Sequence, residues 1–107
     1  MAGAGNDTVF CVGGNDVLLG LAGDDFAYGD AGNDHIYSGA GNDVMYGSDG
    51  VDVLLGVAEN DAIHGDTGFN YLFGGGGIDI LHGSGGMTSS DVNVMFGGDG
   101  GDVHYGA

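Results

Sequence analysis

The sequence contains no lysine and no arginine, so no basic side chain can neutralise its acidic residues. Fifteen aspartates and one glutamate give a formal net charge of −16 at pH 7. Because no basic surface is present to meet phosphates or anionic lipid, this composition disfavours nucleic-acid binding and membrane-surface binding. The missing counter-charge must come from solution. Hard metal dications fit, since carboxylates and backbone carbonyls are the ligands on offer.

Cysteine and long apolar segments are also scarce. Cys11 is the single cysteine, so no internal disulfide and no cysteine-based zinc cluster is expected, and we interpret it as a small substitute for a repeat glycine. No stretch is apolar for long enough to span a bilayer, and the N-terminus lacks the regions of a secretory signal. No nucleophile stands beside a base and no phosphate-binding loop is present, so the sequence predicts no enzymatic activity.

A nine-residue unit repeats eleven times, over residues 4–84 and 90–107, with a five-residue insert at 85–89. The first three units read AGNDTVFCV, GGNDVLLGL and AGDDFAYGD. We number the positions 1 to 9, so that Asp7 stands at position 4. Position 4 is Asp in nine units and Asn in two, and Gly dominates positions 2 and 8. A period this short and regular predicts a solenoid that forms one domain over residues 1–107.

Each unit predicts one short strand and one turn. Positions 5 to 7 are rich in Val, Leu, Ile, Tyr and Phe, which predicts a three-residue strand with position 6 facing inward. The remaining positions predict a turn, in which Asn at position 3 is interpreted as tolerating a left-handed conformation. Two units then make one coil of 18 residues, and the fold class is all-β with two parallel sheets of short strands. The predicted inward column is Val9, Leu18, Ala27, Ile36, Met45, Leu54, Ile63, Leu72, Leu81, Met95 and His104.

This predicted core is too thin to hold the coils together. Burying one large apolar side chain contributes roughly 1.5–3 kcal/mol, whereas ordering nine backbone residues costs roughly 1–2 kcal/mol for each residue. Stacked like charges about 4.8 Å apart repel by roughly 1 kcal/mol even in water. The sequence therefore predicts that something else binds successive turns together.

The unit resembles the nonapeptide of the calcium-binding repeats-in-toxin (RTX) family, G-G-x-G-x-D-x-U-x with U a large apolar residue. Positions 8 and 9 followed by 1 to 7 correspond to this pattern in order, and the resemblance covers essentially the whole chain. It implies a right-handed parallel β-roll with Ca²⁺ in the turns. Each ion would take carboxylates from units two apart together with turn carbonyls.

Carried onto this sequence, the resemblance implies one column of ions along each edge of the roll. The odd-unit column uses Asp7, Asp25, Asp43, Asp61, Asp79 and Asp102. The even-unit column uses Asp16, Asp34 and Asp52, and then the weaker ligands Asn70 and Asn93, so we expect that edge to lose ions first. The implied turn carbonyls are those of Gly5, Gly14, Gly23, Gly32, Gly41, Gly50, Gly77 and Gly101. Pairs with Asp on both sides predict about seven Ca²⁺, which would bring the charge of −16 to about −2.

Positions 5 and 7 face outward and are apolar or aromatic in most units. This pattern fits lateral packing of identical rolls, a neighbouring domain, or exposure without a partner. His64 and His82 are expected to stack in an outward ladder rather than to form a transition-metal site. Both ends stop in register, which fits either a fragment of a longer array or end-to-end self-association.

The sequence therefore predicts a calcium-binding structural domain. The resemblance implies a secreted bacterial protein, exported by type I secretion, that folds on meeting Ca²⁺ outside the cell. One alternative is a self-assembling, Ca²⁺-stabilised extracellular filament or matrix subunit. Another is the C-terminal repeat region of a secreted RTX hydrolase or toxin. All three place the chain outside the cell or at its surface, without membrane insertion.

Overall fold

The computed structural model describes residues 4–83 and 94–105. Every regular element in these two segments is a β-strand, and neither segment contains a helix that could cross a membrane. The strands are β1 (Thr8–Phe10), β2 (Val17–Ala22), β3 (Phe26–Tyr28), β4 (His35–Ala40), β5 (Val44–Tyr46), β6 (Val53–Ala58), β7 (Ala62–His64), β8 (Tyr71–Gly76), β9 (Ile80–His82), β10 (Val94–Asp99) and β11 (Val103–Tyr105). Each strand begins at position 5 of its unit, so one strand forms per repeat.

The strands form two parallel sheets that alternate along the chain. Odd-numbered strands make a six-stranded sheet in the order β1-β3-β5-β7-β9-β11, and even-numbered strands make a five-stranded sheet from β2 to β10. Stacked residues are 18 apart in sequence, so two units complete one coil. Beyond the insert the separation becomes 23, as in the pairing of Tyr71 with Val94, and the ladders continue in phase. The predicted parallel β-solenoid is confirmed, and the insert at 85–89 lies outside the described residues.

One column of apolar side chains at position 6 fills the interior. Its eight central members are at most 5% exposed: Leu18, Ala27, Ile36, Met45, Leu54, Ile63, Leu72 and Leu81. Val9 and Met95 are half-buried and pack against this cluster, and Cys11 contacts it as well. His104, which was expected to continue the column, is exposed. The predicted core is therefore confirmed over its central coils.

The two sheets differ in width, which the sequence analysis did not predict. Odd strands have three residues, as expected, but even strands have six because pairing continues through positions 8 and 9 into position 1 of the next unit. At position 9, three even units carry Gly39, Gly75 and Gly98 with φ of 90–100°, whereas three odd units carry Asp30, Ser48 and Asp66 with φ of 65–73°. Glycine reaches these wider φ angles without steric cost. Glycine alone does not determine the strand length, however, because β2 and β6 also have six residues with Leu21 and Val57 at position 9.

Val57 interrupts this glycine column. It has φ of 85°, an uncommon conformation for a β-branched residue, and its side chain is half exposed. In the next coil glycine is required, because a Cβ on Gly75 would overlap the carbonyl of Val57. Val57 therefore holds a conformation that suits glycine better, with little packing to compensate for it.

We expect Val57→Gly to stabilise the roll by about 1 kcal/mol, since the left-handed penalty of roughly 1–2 kcal/mol exceeds the entropic cost of a strand glycine. The matched control is Val51→Gly, which removes an equally exposed valine whose φ is not positive. The control should lower stability by about 0.5–1 kcal/mol. Denaturant unfolding in excess Ca²⁺ would measure both, and a loss of stability in Val57→Gly would contradict the strain argument.

Candidate metal site

The side chains at position 4 point into the roll rather than out from its turns. Because side chains alternate along an extended chain, positions 4, 6 and 8 share the inner side. The central position-4 residues are at most 4% exposed: Asp25, Asp34, Asp43, Asp52, Asp61, Asn70 and Asp79. Asp7, Asp16 and Asp102, nearer the ends, are half-buried. The structure thus brings the predicted acidic residues together as two inner columns, one at each edge, while Asn93 lies outside the described residues.

One oxygen of each carboxylate connects neighbouring coils. Oδ1 of Asp25 accepts a hydrogen bond of 2.8 Å from the backbone amide of Asp7, and Oδ1 of Asp43 accepts one from the amide of Asp25. The same contact recurs at 2.8–2.9 Å along both edges. Asn70 keeps it through its amide oxygen, which accepts from Asp52. Asparagine therefore preserves this inter-coil hydrogen bond but brings no charge.

The second carboxylate oxygen has no such partner. Oδ2 is fully buried without a hydrogen-bond donor in Asp25, Asp34, Asp43, Asp52, Asp61 and Asp79. An unpaired buried charge is among the most unfavourable arrangements in a protein interior. Since the chain has no lysine or arginine, none of its side chains can supply a permanent positive charge to these oxygens.

Burial raises the pKa of these carboxyl groups. The pKa of Asp61 rises to about 8, first because of desolvation and then because of the charges of Asp43 and Asp79. The pKa of Asp52 rises to about 7 for the same primary reason, and among the neighbouring charges Asp34 contributes most. Desolvation also raises the pKa of Asp34, Asp43 and Asp79. Without a cation, burial therefore shifts these side chains toward the protonated form.

Backbone carbonyls face the same space as the unpaired carboxylate oxygens. A methyl group added to Gly29 would lie 2.7 Å from Oδ2 of Asp34 and 2.7 Å from the carbonyl oxygen of Gly47. In the following unit, position 8 is Ser38 instead of glycine. Its buried hydroxyl lies beside a carbonyl of the adjacent coil in the same way and donates to the Gly56 carbonyl over 2.9 Å. Glycine at position 8 therefore leaves room beside two oxygens of adjacent coils. The sequence analysis missed these carbonyls, although the regular glycine at position 8 was their signal.

These oxygens suit a hard cation. Within the described segments, no three acidic, histidine or cysteine side chains converge on one point, so carboxylates alone cannot complete a coordination shell. Ca²⁺ takes six to eight oxygen ligands and accepts backbone carbonyls and water among them. Pairs of carboxylates with neighbouring carbonyls therefore fit calcium, and the absence of clustered thiols and imidazoles disfavours zinc.

The turn glycines predicted as carbonyl donors occupy one structural column. Position-2 glycines have φ between 105° and 132°, and an added Cβ on Gly23 would overlap the carbonyl of Gly5 in the coil before it. In the last unit this place belongs to Gly100, with φ of 132°, rather than to Gly101, which has open space around its Cα. The member of the column there is thus Gly100. Glu59 holds the same conformation with φ of 76°.

Position 3 has a role that the sequence analysis misjudged. None of the position-3 asparagines in the described segments has a positive φ. Instead, the side-chain oxygen of Asn6 accepts a hydrogen bond of 2.8 Å from the amide of Asp24, and Asp24 accepts one from Asn42 in turn. This exposed ladder points toward the following coil, opposite to the buried carboxylate ladder. It ends where Val51 and Ile78 offer no acceptor at position 3.

The outward histidines belong to an aromatic ladder. His64 and His82 stack with ring centroids 4.7 Å apart, and Tyr46 stacks on His64 at 4.6 Å. Burial, followed by the neighbouring His82, lowers the pKa of His64. Among the described residues no third histidine, cysteine or carboxylate groups with these two rings, whereas a zinc site needs at least three protein ligands. The stacking of these two residues in the outward ladder is confirmed.

Comparison with known families agrees with this geometry. A sequence profile for the RTX calcium-binding nonapeptide repeat, spanning four copies of the unit, matches residues 1–27, 12–45, 19–54, 28–63 and 55–86. Neither the curated proteins nor the solved structures include a significant match to the chain. The profile matches cover well over half of the sequence, including most of the two inner carboxylate columns. The chain therefore belongs to the RTX family of calcium-binding nonapeptide repeats, whose proteins are typically secreted by bacteria.

Proposed function

We propose that this chain is a structural domain that folds when it binds Ca²⁺ outside the cell. The observation that carries the proposal is the set of six buried carboxylate oxygens without a donor in a chain that has no basic residue other than histidine. Without cations, folding would have to bury these charges or protonate them. With calcium present, the same oxygens become the means of joining one coil to the next.

The proposed ligands are the inner carboxylates of coils that stack on each other. On the odd edge these are Asp7, Asp25, Asp43, Asp61, Asp79 and Asp102, and on the even edge Asp16, Asp34 and Asp52. Asn70 would hold ions more weakly, because its oxygen accepts from the Asp52 amide and its Nδ2 takes the place of the carboxylate Oδ2. Asn93 would likewise bring no charge. About seven ions would leave a net charge of about −2. The calcium supplies positive charge between coils, and the chain positions the oxygens through its amide-to-Oδ1 hydrogen bonds.

The location follows from the calcium requirement. Extracellular domains bind Ca²⁺ with dissociation constants of about 10⁻⁴–10⁻³ M, so a chain of this kind stays unfolded in the cytoplasm and folds after export. Type I secretion, which the RTX resemblance implies, fits a chain that is unfolded until it leaves the cell. The chain has a structural role in this proposal, because its buried carboxylates serve cation binding and no nucleophile accompanies them.

Asp43→Asn tests the calcium sites directly. The amide oxygen would keep the hydrogen bond that Asp43 accepts from Asp25, so the change removes the buried charge and the unpaired Oδ2 but leaves the contact between coils. We expect the Ca²⁺ concentration for half-folding to rise roughly ten-fold, equivalent to about 1.4 kcal/mol, and the bound ions to fall by about two. Circular dichroism during a Ca²⁺ titration, with Mg²⁺ for comparison, and equilibrium dialysis measure these quantities.

The matched control is Asp24→Asn, an exposed aspartate whose Oδ1 accepts from the Asn42 amide and whose hydrogen bond also survives the change. It should leave the half-folding Ca²⁺ concentration nearly unchanged. Equal shifts in Asp43→Asn and Asp24→Asn would show that bulk charge, rather than the inner column, determines calcium binding. A wild-type chain that is ordered at neutral pH after removal of calcium would refute the proposed function.

Asn70→Asp should strengthen the even edge. Asn70 is fully buried and stacks on Asp52, so the substitution would give that pair two carboxylates. We expect about one additional bound ion and a lower half-folding Ca²⁺ concentration. Asn33→Asp, at exposed position 3 of the same edge, adds the same charge outside the column and should change neither quantity. Unchanged stoichiometry in Asn70→Asp would contradict the ligand assignment.

Protons should substitute for calcium in the metal-free chain. An unfolded aspartate has a pKa of about 3.9, whereas Asp52 and Asp61 in the roll have pKa values of about 7 and about 8. Stability from these groups is present in full below the unfolded pKa and is lost as the pH rises through the folded values. Metal-free samples should show more β-structure at pH 5 than at pH 8 by circular dichroism. More order at pH 8 would contradict this sign.

A further inference from the structure

The outer face of the even sheet is wide, apolar and free of charge. Its outward residues at positions 5 and 7 are apolar or aromatic in every even unit except at His35. Several are well exposed, among them Val17 at 69%, Phe96 at 56% and Leu19 at 40%, and Val57 at position 9 is 50% exposed. All sixteen acidic residues of the chain occupy positions 1 to 4 or 9, and none occupies positions 5 to 7. Charge is thus confined to the turns, and the sheet face between them is apolar.

The size of this face separates it from the face of the odd sheet. Five strands about 4.8 Å apart and six residues long cover roughly 24 by 20 Å, or about 480 Å². The three-residue odd strands cover only about 290 Å² by the same reasoning. Two even faces packed together would bury about 960 Å² in total, which is below the roughly 1,200–2,000 Å² of stable interfaces and within the range of weak, transient ones. Two odd faces would bury only about 580 Å², which is in the range of crystal contacts.

The spacing of the side chains indicates what fits this face. Its residues form straight rows that repeat at the coil spacing, as in the stacked rings of Phe73 and Phe96, whose centroids are 5.3 Å apart. Rows of this kind interdigitate along their length only with rows of the same spacing, the principle that joins paired sheets in steric zippers. A second copy of this chain presents the same rows with the same spacing. Its acidic edges are the obstacle, because each metal-free chain carries a charge of −16.

We propose that two copies of the calcium-loaded chain pack face to face through their even sheets. This inference rests on the proposed function, since about seven bound ions would reduce the charge of each copy from −16 to about −2 and remove most of the repulsion. Calcium would then control two steps in order, the folding of the roll and the pairing of the folded rolls. The small contact area makes the pairing reversible and dependent on protein concentration.

Sedimentation analysis of the whole chain over a range of protein concentrations tests this pairing. Val53→Lys places an ammonium group at the middle of the even face, where pairing would bury it. Val44→Lys makes the same change at the same position of the preceding unit, on the odd face, and both valines are half-buried. In excess Ca²⁺ we expect a monomer–dimer equilibrium for the wild type and for Val44→Lys. Dimerisation of Val53→Lys should be at least ten-fold weaker.

Circular dichroism of each sample separates folding from pairing. A wild type that folds with Ca²⁺ but remains monomeric at every concentration would overturn the pairing and leave the proposed function intact. Equal dimerisation of folded wild type and folded Val53→Lys would overturn the assignment to the even face, as would equal weakening by the two lysine variants. Failure of the wild type to fold with Ca²⁺ would overturn the proposed function and this inference together.

Discussion

A buried carboxylate on almost every coil, without a basic partner, is the constraint on which the rest of this structure depends. Each of the six central aspartates uses one oxygen to accept a hydrogen bond from the neighbouring coil and leaves the other in the interior without a donor. The single apolar column at position 6 cannot offset six such groups. Burying an unpaired charge costs far more free energy than burying one apolar side chain per nine residues contributes. In the proposed function, an external positive charge offsets these groups, and the stability of the roll is linked to bound calcium.

Much of the repeat consensus follows from making room for that carboxylate. A Cβ on Gly47 would lie 2.5 Å from Oδ2 of Asp52 and 2.9 Å from the Gly65 carbonyl, so any larger residue there competes with the side chain that the fold requires. The position-2 glycines bend with positive φ and let the next coil approach their carbonyls. Asn6 and its equivalents then fasten the outside of the same turn with side-chain hydrogen bonds. Hydrogen bonds therefore stabilise the turn on both sides. The inner side chains accept from the preceding coil, and the outer side chains accept from the following coil.

The sequence predicted the solenoid, the coil length and the inner column because those features follow from period alone. Leu54 recurs 18 residues after Ile36, and any parallel stack with that repeat must place both on the same side. The six-residue even strands were not predicted, because position 9 is glycine in some even units, such as Gly39, and Leu21 or Val57 in others, so residue type does not indicate where pairing continues. The inward orientation of the Asp34 side chain, and the Gly47 carbonyl beside it, were not predicted for a related reason. They depend on how the backbone is oriented within a turn, and a repeat pattern does not specify that.

The separation of charge from apolar surface gives calcium an influence beyond folding. Aspartates at positions 1 to 4 and 9 concentrate charge along two edges, while the unequal sheet widths give one apolar face the area that the other lacks. An edge charge that cations neutralise no longer keeps such faces apart, since repulsion between chains falls as their net charge approaches zero. In the proposed function, the ions that stabilise the coil would also favour association of its apolar faces. We propose that folding and association in this chain are two consequences of one electrostatic change.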